Sequence, residues 1–107
     1  MLRSAERVNP VRKRAIEKLR RIVLTALGER QAEVWLFGSC ARGDVRHSSD
    51  IDIGILPRDE LPDAFFAMLA ADIEESTVPY YVDLVDLRRV DPAWVDVIRR
   101  EGIKWRS

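Results

Sequence analysis

One small α/β or α+β sheet with its helices packed on one side is the fold class that this chain predicts. Three observations lead there. Apolar residues change from helical to strand spacing in the order helix, strand, strand, helix, strand, helix. Glycine and proline punctuate those segments at their ends rather than inside them. Finally, 47% of the 107 residues are hydrophobic, enough for one core, while 34% are charged.

Asn9-Pro10 is a helix start, a capping side chain followed by proline at the first helical position. Ala15, Ile16, Leu19, Ile22, Val23, Ala26 and Leu27 then recur at steps of three and four, until Gly28 ends the helix. Val34 to Phe37 is a short apolar run stopped by Gly38 and reads as a buried strand. Cys40 to Ser49 is polar and reads mainly as loop. Asp50 to Leu56 alternates strictly before Pro57, which makes it a second strand. Asp63 to Glu75 carries Phe65, Phe66, Leu69 and Ile73 on one helical stripe. Tyr80 to Leu87 is rich in β-formers. Asp91-Pro92 opens a last helix, with Trp94, Val97 and Ile98 expected to face inward and Gly102 to end it.

Composition excludes several classes. No apolar run approaches the roughly 18 residues that cross a bilayer, and the basic N-terminus lacks an apolar signal region, so no membrane association is expected. The single cysteine, Cys40, leaves no internal disulfide framework, and the expected address is the cytoplasm. A domain this small buries a modest share of its surface, so hetero- or homo-oligomerisation is expected. The zero net charge is a cancellation. Residues 1–21 hold eight bases against two acids, whereas residues 59–87 hold eight acids and no base. Such polarity suits a charged partner and equally suits a solvated helix face. Without a recognised motif, nucleic acid is not the expected partner.

The chemistry concentrates in two places. Residues i and i+2 of a strand share a face, so Asp50 and Asp52 stand about 7 Å apart on one side while Ile51, Ile53 and Ile55 take the other. Carboxylates held so close repel each other unless a cation joins them, and hard ions such as Mg²⁺ take oxygen ligands of this kind. An isolated pair of this sort is more often two exposed surface acids. Upstream, across ten intervening residues, Gly38 and Ser39 end a strand in a turn that can offer backbone N–H groups and a hydroxyl to a phosphate, with Arg42 as a guanidinium donor and Gly43 turning the chain back. The two features together read as a phosphate cradle facing a metal-binding pair. Of the acids in Tyr80 to Leu87, Asp83 interrupts the strand's middle and is assigned to the site as its third carboxylate. Asp86, near the end, is explained by capping or solvent. His47 and Cys40 read as a loop residue and a small filler, with no partner for either.

Gly38-Ser39, Ala41-Arg42-Gly43, Ser49-Asp50, Asp52 and Val82-Asp83-Leu84-Val85 together resemble the minimal nucleotidyltransferases (MNT) of the DNA polymerase β-like superfamily. The resemblance implies a nucleotidyltransferase-fold mixed sheet, with residues 1–107 as a single domain whose motif-bearing core, 34–105, follows the helix over 10–28. It implies ATP as donor and two Mg²⁺ ions as cofactors. On this chain Gly38 and Ser39 would hold the donor's phosphates, with Arg42 meeting phosphate or locking the loop. Asp50 and Asp52 would ligate both metals, while Asp83 would ligate the catalytic one and help activate an acceptor hydroxyl. Many solitary members of the family are antitoxins of a helical HEPN-type toxin and add AMP to a tyrosine of it. The resemblance therefore predicts AMP transfer to a hydroxyl of a partner protein. The alternatives are a small-molecule acceptor and a non-catalytic antitoxin that acts by contact.

Overall fold

The computed structural model describes residues 10–38 and 51–107. Its elements are α1 (Pro10–Leu27), β1 (Ala32–Phe37), β2 (Ile51–Pro57), α2 (Phe65–Glu75), β3 (Val82–Asp86), a 3₁₀ turn (Leu87–Arg89), α3 (Pro92–Glu101) and β4 (Ile103–Arg106). Four strands form one mixed sheet in the order β3-β2-β1-β4. β1 is antiparallel to both of its neighbours, and β2 runs parallel to β3. A parallel pair needs a crossover, which α2 supplies between β2 and β3.

Strand parity divides the core. Ala32, Val34, Leu36, Ile51, Ile53 and Ile55 face α1 and α2, meeting Leu19, Val23, Leu27, Phe65, Leu69 and Ile73. Trp35 lies on the opposite face, packed with Leu87, Val95 and Ile98, so α3 covers the other side of the sheet. The expected class therefore holds, but the one-sided arrangement of helices does not. Both faces of β1 are covered, and for that reason its residues from Ala32 to Leu36 are all buried.

Local signals end most elements where the residues require. Gly28 adopts φ +59 and its N–H donates to the Leu24 carbonyl at 3.0 Å, closing α1 in the left-handed conformation glycine tolerates. Asp91 caps α3 by accepting from the Ala93 N–H at 2.8 Å, with Pro92 in the first turn. Asp86 caps the 3₁₀ turn by accepting from Arg88 N at 3.0 Å, and the Arg88 guanidinium binds the same carboxylate and holds its pKa below the usual range. Its assignment to capping is thus borne out. Asn9, expected to cap α1, lies outside the described residues.

α3 is held on its face by a buried acid that the sequence reading passed over. Glu33 is only 5% exposed. Its carboxylate accepts from Arg99 Nε at 2.9 Å and Nη2 at 2.8 Å, from Arg58 Nη2 at 3.0 Å and from the Trp35 indole at 3.0 Å. A two-pronged arginine fork is the geometry that makes a buried carboxylate tolerable. The Arg99 hydrogen bonds, aided by those from Trp35 and Arg58, outweigh burial and lower the Glu33 pKa from 4.5 to about 2.

Because folding depresses this pKa, the stability it contributes is complete above about pH 4.5 and lost as pH falls through about 2. Denaturant titrations across that window should show a loss of stability that Glu33→Gln largely removes. Glu33→Ala should cost about 2 kcal/mol at neutral pH, less than the ~3–5 kcal/mol of breaking a wholly buried pair, since both guanidiniums still reach water.

Candidate active site

The parallel ladder between β2 and β3 sets the site. Its register pairs Ile51 with Val82, Asp52 with Asp83 and Ile53 with Leu84. The Ile51 N–H donates to the Tyr81 carbonyl at 3.0 Å and extends the ladder past the aspartates. Adjacent strands lie about 4.8 Å apart, so register partners carry their side chains side by side on one face. For Asp52 and Asp83 that face is the α3 face, because the isoleucines on either side of Asp52 point into the α1/α2 core. Asp83 is exposed and Asp52 partly so.

At the end of β1, Phe37 pairs with Asp52, and the next residue, Gly38, turns with φ +78. Two constraints select glycine there. The positive φ disfavours any L side chain. A Cβ at Gly38 would also collide with Asp52 Oδ2 and lie 3.3 Å from its Cγ. The Gly38 backbone is thus pressed against the Asp52 carboxylate.

A cavity of about 400 Å³ opens on this face, bounded by Gly38, Asp52 and Asp83 on the sheet and by Trp94, Val97 and Glu101 on α3. Trp94 was expected to face the core. It is 53% exposed instead, and Val95 takes the buried position beside it. The shift follows from α3 lying on the carboxylate face, where its 94, 97, 98 and 101 positions form one stripe along the cavity. Trp35 and Trp105 are buried. Glu101 is a further acid of the cavity that sequence reasoning did not single out, since it sits in the last turn of a helix with no periodic signal of its own.

Of the predicted site residues, Gly38, Asp52 and Asp83 are brought together. Ser39, Arg42 and Asp50 lie outside the described residues, as do Cys40, Gly43, His47 and Ser49. Among the described residues, no three His, Cys, Asp or Glu side chains converge as a metal site. The two aspartates offer hard oxygen donors on neighbouring strands, a donor set that suits a divalent cation of the Mg²⁺ kind. No described helix is long and apolar enough to cross a membrane.

Known proteins are similar to this chain in sequence and in fold. The probable protein adenylyltransferase MntA of Haemophilus influenzae is 31% identical over 67 residues, which is 63% of this chain and 59% of that protein. The match thus spans under two thirds of that relative's length. A structure assigned to a minimal nucleotidyltransferase superposes with a TM-score of 0.68 at 28% identity, covering 84% of this chain and 92% of the other. The Shewanella oneidensis complex of a tri-AMPylated HEPN toxin with its MNT antitoxin matches with a TM-score of 0.62 at 26% identity, over 87% of this chain and 70% of that one. The Polbeta family (polymerase beta, nucleotidyltransferase) matches residues 24–104, from the end of α1 through the aspartate-bearing strands to β4. That stretch contains the Gly38 turn and both paired aspartates, and the chain belongs to this nucleotidyltransferase family.

Proposed function

We propose that residues 1–107 act as a single nucleotidyltransferase domain that moves AMP from ATP to a hydroxyl of a partner protein, as the antitoxin of a helical HEPN-type toxin in the cytoplasm. The observation that carries the reading is the register pairing of Asp52 with Asp83 beside the Gly38 turn, at the mouth of a cavity. Support for the acceptor comes from the relatives, one named as a protein adenylyltransferase and another bound to an AMPylated toxin.

In this reading Gly38 and Ser39 receive the donor's β- and γ-phosphates through backbone N–H groups and a hydroxyl, with Arg42 as a further donor. Asp52, Asp83 and Asp50 would hold two Mg²⁺ ions, which would supply the positive charge that phosphoryl transfer needs. The acceptor oxygen bonds to the α-phosphorus as the bond to the bridging oxygen of the β-phosphate breaks, and pyrophosphate leaves. Asp83 orients the acceptor hydroxyl, and its carboxylate oxygen accepts the hydroxyl proton. The partner supplies the hydroxyl already placed, and alignment of this kind can lower a barrier by roughly 7–11 kcal/mol.

Incubation with the neighbouring toxin, ATP and Mg²⁺ should raise the toxin's mass by one or more AMP units. Asp50→Asn, Asp52→Asn and Asp83→Asn should each abolish the gain, and Asp83→Asn should not lower the metal-free unfolding midpoint, because it removes one of two neighbouring negative charges. Neutralisation of the toxin without a mass change would favour the contact-only antitoxin. Neither binding nor modification would favour a small-molecule acceptor.

Ser39→Ala tests the phosphate cradle. Calorimetry should show weaker ATP binding, by about tenfold for one lost charge-assisted hydrogen bond, with an unchanged unfolding midpoint. Unaltered ATP affinity would leave Ser39 as a turn residue only.

A further inference from the structure

We propose that Trp94 is the platform on which the base of the donor nucleotide stacks, making the α3 side of the cavity a nucleobase subsite; the inference rests on the nucleotidyl-transfer reading of the same cavity. The indole is 53% exposed and borders the cavity that holds Asp52 and Asp83. It is not held there by the core, because Val95 and Ile98 supply the buried contacts of α3. An indole half in water, lining the same open cavity as two carboxylates, has a large apolar face available to a ligand.

Charge decides which part of the ligand meets it. The described lining carries three acids, Asp52, Asp83 and Glu101, and no basic side chain. A triphosphate gains nothing from the α3 wall, where Glu101 would repel it, and belongs at the Gly38 turn. The uncharged half of the donor is then left for the Trp94–Val97 side. The base is tethered through ribose to the reacting phosphorus, so it stays within one nucleotide's length of the aspartates in every turnover. A volume of about 400 Å³ falls in the range of small-ligand sites and accommodates a nucleoside. Stacking on an aromatic ring tolerates any base, since every base presents a π-face. Trp94 therefore supplies affinity for the donor rather than choice among bases.

The test is binding, with the full chain and two probes in Mg²⁺: the non-hydrolysable ATP analogue AMP-PNP, and inorganic tripolyphosphate, which lacks base and ribose. Trp94→Ala should weaken AMP-PNP by about tenfold or more and leave tripolyphosphate unchanged. Trp94→Phe should restore most of the loss, and Trp94→Ala should keep the wild-type unfolding midpoint. Unchanged AMP-PNP affinity in Trp94→Ala, or an equal loss for both probes, would overturn the inference. Failure of the wild-type protein to bind AMP-PNP at all would instead overturn the nucleotidyl-transfer reading, and this inference with it.

Discussion

The site depends first on the parallel register of β2 and β3, because that register alone brings two aspartates 31 positions apart in sequence onto neighbouring backbone positions. One residue of slippage would turn one of them into the isoleucine-lined core, which neither carboxylate could enter without a partner. The hydrophobic pattern therefore enforces the site. Ile51, Ile53 and Ile55 are wholly buried, and their parity leaves Asp52 no choice of face. The α2 crossover then fixes β3 in the parallel sense, and the absence of a Cβ at Gly38 lets its own backbone come up to Asp52.

A second constraint lies at the other end of β1. The Glu33–Arg99 fork ties α3 to the sheet four residues before the Phe37 that faces Asp52. Orienting a helix by a charged fork rather than by apolar packing alone fixes its rotation, since two parallel hydrogen bonds have one geometry. That rotation carries Trp94 and Glu101 to the cavity while Val95 and Ile98 stay buried. The acid that holds α3 and the acids that line the cavity are thus separated along one sheet. Glu33 is engaged by two arginines and the Trp35 indole, and Asp52 and Asp83 are register partners on neighbouring strands.

Much of this was legible in the sequence, and the exceptions have physical causes. The isoleucine alternation, the Asp91-Pro92 start and the Gly28 stop are local signals, and each marks an element that forms. Asp83 could be chosen over Asp86 because parity is local too. β4 was missed because Ile103–Arg106 has only four residues, two of them basic, and it becomes a strand only by pairing with β1. Glu33 was missed because the two arginines that neutralise it lie 25 and 66 residues away, so no neighbouring cation marks it as buried. The placement of α3 on the opposite face, and with it the exposure of Trp94, is a property of the assembled sheet. An amphipathic stripe says that a helix packs, not on which side.

In the proposed reaction Asp52 and Asp83 would jointly hold the metal-bound nucleotide. Crystals of the protein grown with Mn²⁺ and AMP-PNP, measured at the manganese absorption edge, test it most directly. An anomalous peak is expected at the two carboxylates, with the triphosphate against the Gly38-Ser39 turn. An ordered nucleotide elsewhere, or one bound with no metal at either aspartate, would contradict it.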